Sequence, residues 1–458
     1  MSALVTTWKN AFGAYANPRV RAMLFLGFSS GLPFSLVLTT LSAWLRQSGI
    51  DRATIGYFSL VGLAYSLKYF WAPVVDRLPL PLLHGLGRRR SWMLLAQACI
   101  VLGLVLMAAS DPAVDAVHVA WLAVFTAFAS ATQDIAVDAY RIEAAAERDQ
   151  GAMAAAYQIG YQVALICAGA GALTAAAGYG WRVSYLAMAA CALVGVATTL
   201  LIAEPDARVD RATLAPEPMV ARFLRRAAGW PAPLRAAVAW LIGAVICPFA
   251  DFFQRNGLRA GLPILLLVVT YRLNYTTMGV AANPFYIDMG FTLEQIALVS
   301  KVYGVIMTMA GALLAGLLIR RFGVLRTMLL GLVMLSAANL LYAHMAAIQP
   351  GVAWLATVVS ADNVANGIAG TSFIAYMSSL TSARYTATQY ALFGTLWSLP
   401  AKSIASQWGN VVNAWGYPLF FVCTALIAAP AFVLALWLLW RQRGERGQGG
   451  GPAASAAS

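Results

Sequence analysis

Apolar runs long enough to cross a lipid bilayer recur along this chain of 458 residues and limit its fold more than any motif does. A membrane-crossing helix needs about 20 apolar residues and satisfies its backbone polar groups internally. Charged residues make up only 11% of the chain, against about a quarter of a soluble domain. The pattern predicts an all-α integral membrane protein with twelve spans, near 20–46, 54–75, 91–110, 118–140, 150–178, 182–203, 260–283, 294–319, 324–346, 351–380, 386–408 and 417–440.

The spans form two sets of six around a polar stretch. The stretch "MVARFLRRAAGW" within it predicts an amphipathic helix on the membrane surface. The run "AAVAWLIGAVICPFA" from Ala236 is short for a span, so an interfacial helix is predicted, with an extra pair of membrane turns as the alternative. The predicted parts are a cytoplasmic N-terminus 1–19, a six-helix half 20–203, a cytoplasmic linker with interfacial helices 204–258, a second six-helix half 259–440 and a disordered cytoplasmic tail 441–458.

Lys and Arg are concentrated in alternate segments between the spans. Most of the 31 Lys and Arg residues fall on one side, whereas Arg46, Arg52 and Arg182 fall on the other. Because cytoplasmic loops carry the excess of these residues, both termini are predicted to be cytoplasmic. The formal charge of +13 is spread over those segments without an aromatic and basic patch, which argues against nucleic acid as a partner.

The two sets of spans resemble copies of each other. "TQDIA" from Thr132 aligns with "TSFIA" from Thr371, and the basic segment "DRLPLPLLHGLGRRR" after span two is echoed by "RRFGVLR" after span eight. Parallel halves of six helices with these basic segments predict the major facilitator fold, in which two halves rock about a site at the middle of the membrane.

Ionisable residues within the spans are the candidate functional residues. Each costs roughly 2.5–3.5 kcal/mol near a helix centre, so they are expected to be paired or to face a wet cavity. They are Lys68, Asp134, Asp138, Arg272, Lys301, Asp362 and Lys402.

Span four carries two of these acids on one helix face. Asp134 and Asp138 are four residues apart, and Gln133 flanks them. Burial disfavours a charged carboxylate and a nearby cation favours it, so an acid that alternates between such environments can carry a proton. Asp134 is the predicted proton or substrate residue. Asp138 is close to Arg141 and has an equally simple interpretation as part of an inner gate, for which Arg141, Asp76 and Arg77 are the candidates.

The remaining charges suggest a cavity that binds an anion. Arg272 and Lys301, in spans seven and eight, are predicted to hold an anionic group of a substrate. Asp362 either lines the same cavity or bonds a neighbour such as Asn363, and Lys68 either lines it or extends its amine to the membrane surface. The three histidines do not approach metal-ligand spacing, and no Ser-His-Asp set suggests an enzyme.

Several strings together resemble the AmpG muropeptide permeases of bacterial inner membranes. They are "LGFSSGLPFSL", "GIDRATIGYFSLVGLAYSLKYFWAPVVDR", "GRRRSW", "ASATQDIAVDAYR" and "TATQYAL". The resemblance implies functional positions at Gly31, Gln133, Asp134 and Asp138. Gln162 departs from the family pattern, in which an Arg follows the Tyr at position 161. This chain therefore has one cation fewer for binding an anion than the family pattern implies.

The resemblance implies a proton-driven importer rather than an enzyme. Its substrate would be N-acetylglucosaminyl-1,6-anhydro-N-acetylmuramic acid and its peptides, taken from periplasm to cytoplasm for peptidoglycan recycling, a flux that governs β-lactamase induction in many bacteria. It would work as a monomer in the inner membrane, with the proton motive force and no cofactor. The alternative is a facilitator for another anionic solute, such as acetyl-CoA.

Overall fold

The computed structural model describes residues 14–50, 54, 58–78, 80–81, 83–205, 217–348 and 351–448. The start of the predicted N-terminus (1–13), the Pro-rich part of the linker (206–216) and the end of the predicted tail (449–458) lie outside the described residues.

The first half contains six helical segments. Helix α1 (Pro18–Gln47) contains a π-helical turn at Leu36–Thr40. Helix α2 (59–77) is a series of short helical segments. Gly180, with φ of 82°, separates α5 from α6 within one continuous helical stretch, Gln150–Leu201. The helices are α1 (Pro18–Gln47), α2 (59–77), α3 (Arg88–Ala108), α4 (Ala116–Glu143), α5 (150–179) and α6 (181–201).

The linker contributes two helices and the second half six more. Helix α8 is longer than the predicted interfacial run and ends at Gly257, where φ is 67°. Gly416, with φ of 77°, likewise precedes α14. The helices are α7 (Pro218–Arg226), α8 (232–256), α9 (258–288, interrupted at 271–272), α10 (293–322), α11 (Val324–Ala347), α12 (Val352–Leu380), α13 (Thr386–Ala405, followed by a further helical stretch at 408–415) and α14 (417–448, interrupted at 427–428).

Two spans differ from the regular helices that hydropathy predicts. In α2 the chain passes through a 3-10 turn at Lys68–Phe70 before Ala72–Arg77. Pro73 lacks an N–H and its ring clashes with the carbonyl of Tyr69 in a regular helix, which accounts for the break. In α9 the helix ends at Thr270 and restarts at Leu273, where the Asn274 side chain accepts a hydrogen bond from the N–H of Tyr275 (2.7 Å). This local bond competes with the helical pattern.

The same helix pairs pack in both halves. The first helix packs on the fifth, the third on the fourth and the third on the sixth in the first half, and the equivalent pairs α9 with α13, α11 with α12 and α11 with α14 pack in the second. No strand occurs among the described residues. Eight helical stretches in that part of the chain are long and apolar enough to cross a membrane. The all-α membrane fold with two related halves, predicted from the sequence, is confirmed.

Close backbone contact between α1 and α5 holds the first half together. A Cβ on Gly160 would lie 1.8 Å from the carbonyl oxygen of Leu24, and one on Gly27 would lie 2.1 Å from that of Tyr157. Only hydrogen fits at these positions. The halves then meet where α13 packs on α2 and α4, and where α10 and α12 pack on α5.

Candidate functional site

Asp134 lies among tyrosines in the first half. Its Oδ1 is buried and accepts no hydrogen bond from any residue that the structure describes. The phenols of Tyr65, Tyr157 and Tyr161, the Ser30 hydroxyl and the charged groups of Lys68 and Asp138 are the polar neighbours of this carboxylate. A buried carboxylate oxygen without a donor is unfavourable in the charged form, so this position suits a group that takes up a proton or a donor from a ligand.

The tyrosines belong to an aromatic group that includes Phe34. The rings of Phe34 and Tyr65 meet edge to face with centroids 5.0 Å apart, and those of Tyr157 and Tyr161 are 6.1 Å apart. Aromatic faces beside phenol hydroxyls offer both an apolar surface and hydrogen-bonding groups. Such a surface is suited to a sugar ring.

Asp138 connects the tyrosine region to the second half. One carboxylate oxygen lies 3.4 Å from Nζ of Lys68 and the other 3.3 Å from a guanidinium nitrogen of Arg141. Arg141 is fully buried, donates to the Ser378 hydroxyl (2.7 Å), and its guanidinium lies 5.1 Å from the centroid of the Tyr390 ring. Because Ser378 and Tyr390 belong to α12 and α13, this network joins the halves.

Gln133 and Gly31 lie within helix contacts of the first half. Gln133 is fully buried, accepts from the Ser29 hydroxyl (3.0 Å) and donates to the Ser30 hydroxyl (3.4 Å). A Cβ on Gly31 would lie 2.7 Å from the carbonyl oxygen of Tyr161. These contacts fix α1 against α4 and α5 and so orient the tyrosines.

Arg272 lies at the break in α9. Its guanidinium donates to Oδ1 of Asn366 (3.1 Å) and lies 4.4 Å from the centroid of the Tyr275 ring. The guanidinium can lie close to α12 because Gly370 has no side chain; a Cβ at Gly370 would be 3.3 Å from the guanidinium. Within the described residues, no carboxylate oxygen lies within 4.0 Å of Arg272. The site therefore presents a cation at an interrupted helix.

Asp362 is the acid that acts on Arg272, without forming an ion pair with it. It is 8% exposed, and its Oδ1 accepts no hydrogen bond within the described structure. Asn363 instead bonds Thr308 of α10 (2.8 Å). The side chain of Lys301 lies outside the described residues. Lys402 donates to the Ser66 hydroxyl (2.7 Å), which joins α13 to α2.

Asp76 is a further link between the halves, at the ends of the helices that carry the basic segments. It is nearly fully buried and accepts from Arg89 (2.8 Å), from the N–H groups of Ala387 (3.2 Å) and Thr388 (2.7 Å), and from the Thr388 hydroxyl (2.7 Å). The carboxylate of one half thus caps the first turn of α13 in the other half, where the helix dipole favours negative charge.

Several residues at this end were not identified from the sequence. Arg89, fully buried, pairs with both Asp76 and Glu143 (2.6 Å). Glu217 accepts from Arg77 (2.8 Å), the gate candidate named from the sequence, which also donates to the carbonyl of Gly243. The string "GRRRSW" signals a basic loop but not which arginine is buried. Glu217 precedes α7, and hydropathy does not indicate that it folds back onto α2.

The two halves are held together at this end by further contacts. Arg320 of α10 lies 3.5 Å from Asp149 at the start of α5, and Ile319 packs with Ala154 and Ala375 in a small core between the halves. Together with the Asp76 and Arg141 contacts, these close the bundle where the basic segments lie. No group of His, Cys, Asp or Glu suited to a metal ion occurs in the described ranges.

Two related six-helix halves joined at one end, with buried charges between helices, define a membrane transporter of the facilitator class. The sequence profile of the Major Facilitator Superfamily matches residues 23–402. The anhydromuropeptide permease of Escherichia coli K12 is 32% identical over 424 residues, covering 92% of this chain and 80% of that protein. A Rickettsia felis protein named as AmpG 4 is 31% identical over 422 residues, covering 92% and 96%. The chain belongs to the AmpG family of the Major Facilitator Superfamily, and it is a transporter rather than an enzyme.

Solved structures are similar to the whole fold. FucP in the outward conformation aligns with a TM-score of 0.63 at 13% identity, covering 93% of this chain and 99% of that one. The proton:xylose symporter XylE aligns with a TM-score of 0.62 at 12% identity, covering 96% of each. At such identities the likeness concerns the fold.

Proposed function

We propose that this transporter imports anhydromuropeptides, N-acetylglucosaminyl-1,6-anhydro-N-acetylmuramic acid and its peptides, from the periplasm into the cytoplasm together with protons. The observation that carries the proposal is Arg272, a cation at a break in a membrane helix with no described carboxylate at ion-pair distance. The name of the 32% identical Escherichia coli relative supports the choice of substrate.

The substrate's chemistry matches the two sites. Muramic acid carries a lactyl carboxylate and its stem peptide adds further acids, and a guanidinium binds carboxylates with two parallel hydrogen bonds. Asn366 and Tyr275 both contact the Arg272 guanidinium, so this group is already held in place before the substrate binds. The sugar rings would pack on the Phe34 and Tyr65 group.

Asp134 is the proposed proton carrier. Its buried oxygen has no described donor, whereas Asp138 already bonds two cations. A neutral Asp134 suits the present arrangement, and a rearrangement that admits water or brings Lys68 closer would favour loss of the proton. Asp138 with Lys68, Arg141, Asp76 and Arg77 serves the gate in this proposal.

Uptake into proteoliposomes tests the proposal. Purified protein is reconstituted, an inward proton gradient is imposed, and radiolabelled anhydro-disaccharide is followed. Accumulation above protein-free liposomes is expected, and Asp134→Asn should abolish proton-driven accumulation while leaving counterflow of substrate. Asp111→Asn, which neutralises an exposed acid, is the matched control.

Arg272→Gln should weaken apparent affinity for the carboxylated substrate by about tenfold or more, the effect of losing one charge-assisted pair. Arg182→Gln removes an exposed cation and should change nothing. Uptake of acetyl-CoA in place of the disaccharide would support the alternative facilitator. The proposal would be refuted if protein that binds the disaccharide, and is therefore folded, did not take it up into the liposomes.

The proposed location is the bacterial inner membrane, with both termini in the cytoplasm, and the proposed working unit is a monomer. The distribution of Lys and Arg supports this orientation. Under it, the end closed by Asp76 and Arg141 faces the cytoplasm and is called the inner end below.

A further inference from the structure

A cleft of about 640 Å³ lies at the inner end, where the two halves meet. Its walls come from the start of α5 in the first half and from α10, α11, α12 and α14 in the second. The described lining includes no Asp or Glu, but it includes four arginines: Arg148, Arg320, Arg321 and Arg326.

Two of these arginines share one described carboxylate, and Arg326 has no described partner. Asp149, beside the cleft, lies 3.5 Å from Arg320 and 3.8 Å from Arg148. Arg326 is exposed and forms no hydrogen bond or ion pair with any residue in the described part of the chain. The cleft therefore contains a guanidinium of the second half that is available to a ligand.

Helix α11 begins in the same cleft and adds to the positive potential. Gly323, with φ of 85°, precedes it, and its first helical hydrogen bond from this end is the one from Thr327 to Gly323. The preceding N–H groups lack helical acceptors. The first turn contains no acid and instead contains Arg326. The helix dipole disfavours a cation at this end of α11, whereas an anion would be stabilised both by the dipole and by Arg326.

Tyr376 of α12 adds a polar group to the lining. The residue is only 6% exposed, and its hydroxyl makes no hydrogen bond with the described residues. A phenol hydroxyl both donates and accepts, so a ligand oxygen in the cleft would give it a partner.

We propose that the cleft binds a phosphate-class anion and that the anion favours the closed inner end. Phosphate oxygens suit several guanidinium groups and free N–H groups at once. Arg148 belongs to the first half and Arg326 to the second, so an anion bound to both joins the halves. The anion is either a lipid headgroup or a soluble phosphate compound. This site is separate from Arg272 and Asp134, so it controls opening rather than substrate binding.

The test uses the full-length protein and two probes. Inorganic pyrophosphate is titrated against detergent-solubilised protein at low salt, with thermal unfolding and calorimetric binding as readouts. In parallel, the protein is placed in phosphatidylcholine nanodiscs with or without phosphatidylglycerol. The test variant is Arg148→Gln/Arg326→Gln, which keeps the Arg320 and Asp149 pair. The control is Arg225→Gln/Arg226→Gln on the exposed face of α7, which removes the same charge from the inner surface.

Saturable stabilisation of wild-type protein is expected, and the test variant should bind about tenfold more weakly while the control is unchanged. An effect of pyrophosphate alone identifies a soluble ligand, and an effect of phosphatidylglycerol alone identifies a headgroup; either supports the site. Arg148→Lys/Arg326→Lys should recover part of the binding if the variant is correctly folded. Equal loss in the test and control variants, or no stabilisation by either probe, would overturn the proposal.

Discussion

Neutralising Asp76 should open the inner end of the transporter. Oδ1 of this carboxylate accepts from Arg89 and the Ala387 N–H, and Oδ2 accepts from the N–H and hydroxyl of Thr388. In Asp76→Asn one of the two oxygens becomes an NH₂ group that faces donors. If the amide keeps its oxygen towards Arg89, the Thr388 N–H loses its acceptor, whereas the Thr388 hydroxyl can turn to accept from the NH₂ group.

This orientation is the cheaper one because the buried Arg89 stays paired, but the N-terminus of α13 also loses the negative charge beside it. At about 1 kcal/mol for the lost N–H bond and about 1 kcal/mol for the lost charge, the closed inner end loses about 2 kcal/mol, roughly a 30-fold change in the ratio of closed to open molecules. Thr388→Val removes only the hydroxyl bond and should produce about a fivefold change.

Pulsed EPR distances across the inner end measure this ratio. Spin labels at Ala146 and Ala383, exposed residues on opposite halves, are placed in a chain whose five native cysteines have been replaced. Wild type should give a short distance, and Asp76→Asn a second, longer one. An unchanged distribution in Asp76→Asn, with the protein folded, would refute the assignment of Asp76 as an inter-half cap.

Three further perturbations follow from the contacts. Arg141→Gln removes the bond to Ser378 and the stacking on Tyr390, so the same EPR labels should report more open molecules; an identical distance distribution would contradict this. Gly160→Ala should destabilise the protein by about 2 kcal/mol, because its Cβ meets the backbone of α1, and a thermal unfolding midpoint equal to wild type would show that α1 can move away. Lys68→Gln removes one of the two cations that contact the buried Asp138 carboxylate, so the thermal unfolding midpoint should fall; a midpoint equal to wild type would show that Arg141 alone satisfies this carboxylate.

The sequence indicated part of the candidate site because charge inside a membrane is costly. Asp134, Asp138, Arg272 and Asp362 stand out in apolar runs on that ground alone. Their different surroundings could not be deduced in the same way: Asp138 bonds two cations, whereas Asp134 has a buried oxygen without a described donor.

The contacts of the gate were even less accessible to prediction from the sequence. Asp76 and Thr388 are 312 positions apart, and nothing in the sequence around either residue indicates that their side chains meet. The break at Tyr271–Arg272 also escaped hydropathy, because an interruption of two residues does not alter an average over about 20 residues.

The sequence by itself determined the membrane class, the two related halves and the predicted orientation, because hydropathy, repetition and the placement of Lys and Arg are all properties of short segments. Only the tertiary structure decided which end is closed, which charges are paired and where arginines from both halves gather in one cleft. Those features depend on contacts between distant helices, and small differences in helix position decide whether two charged groups meet.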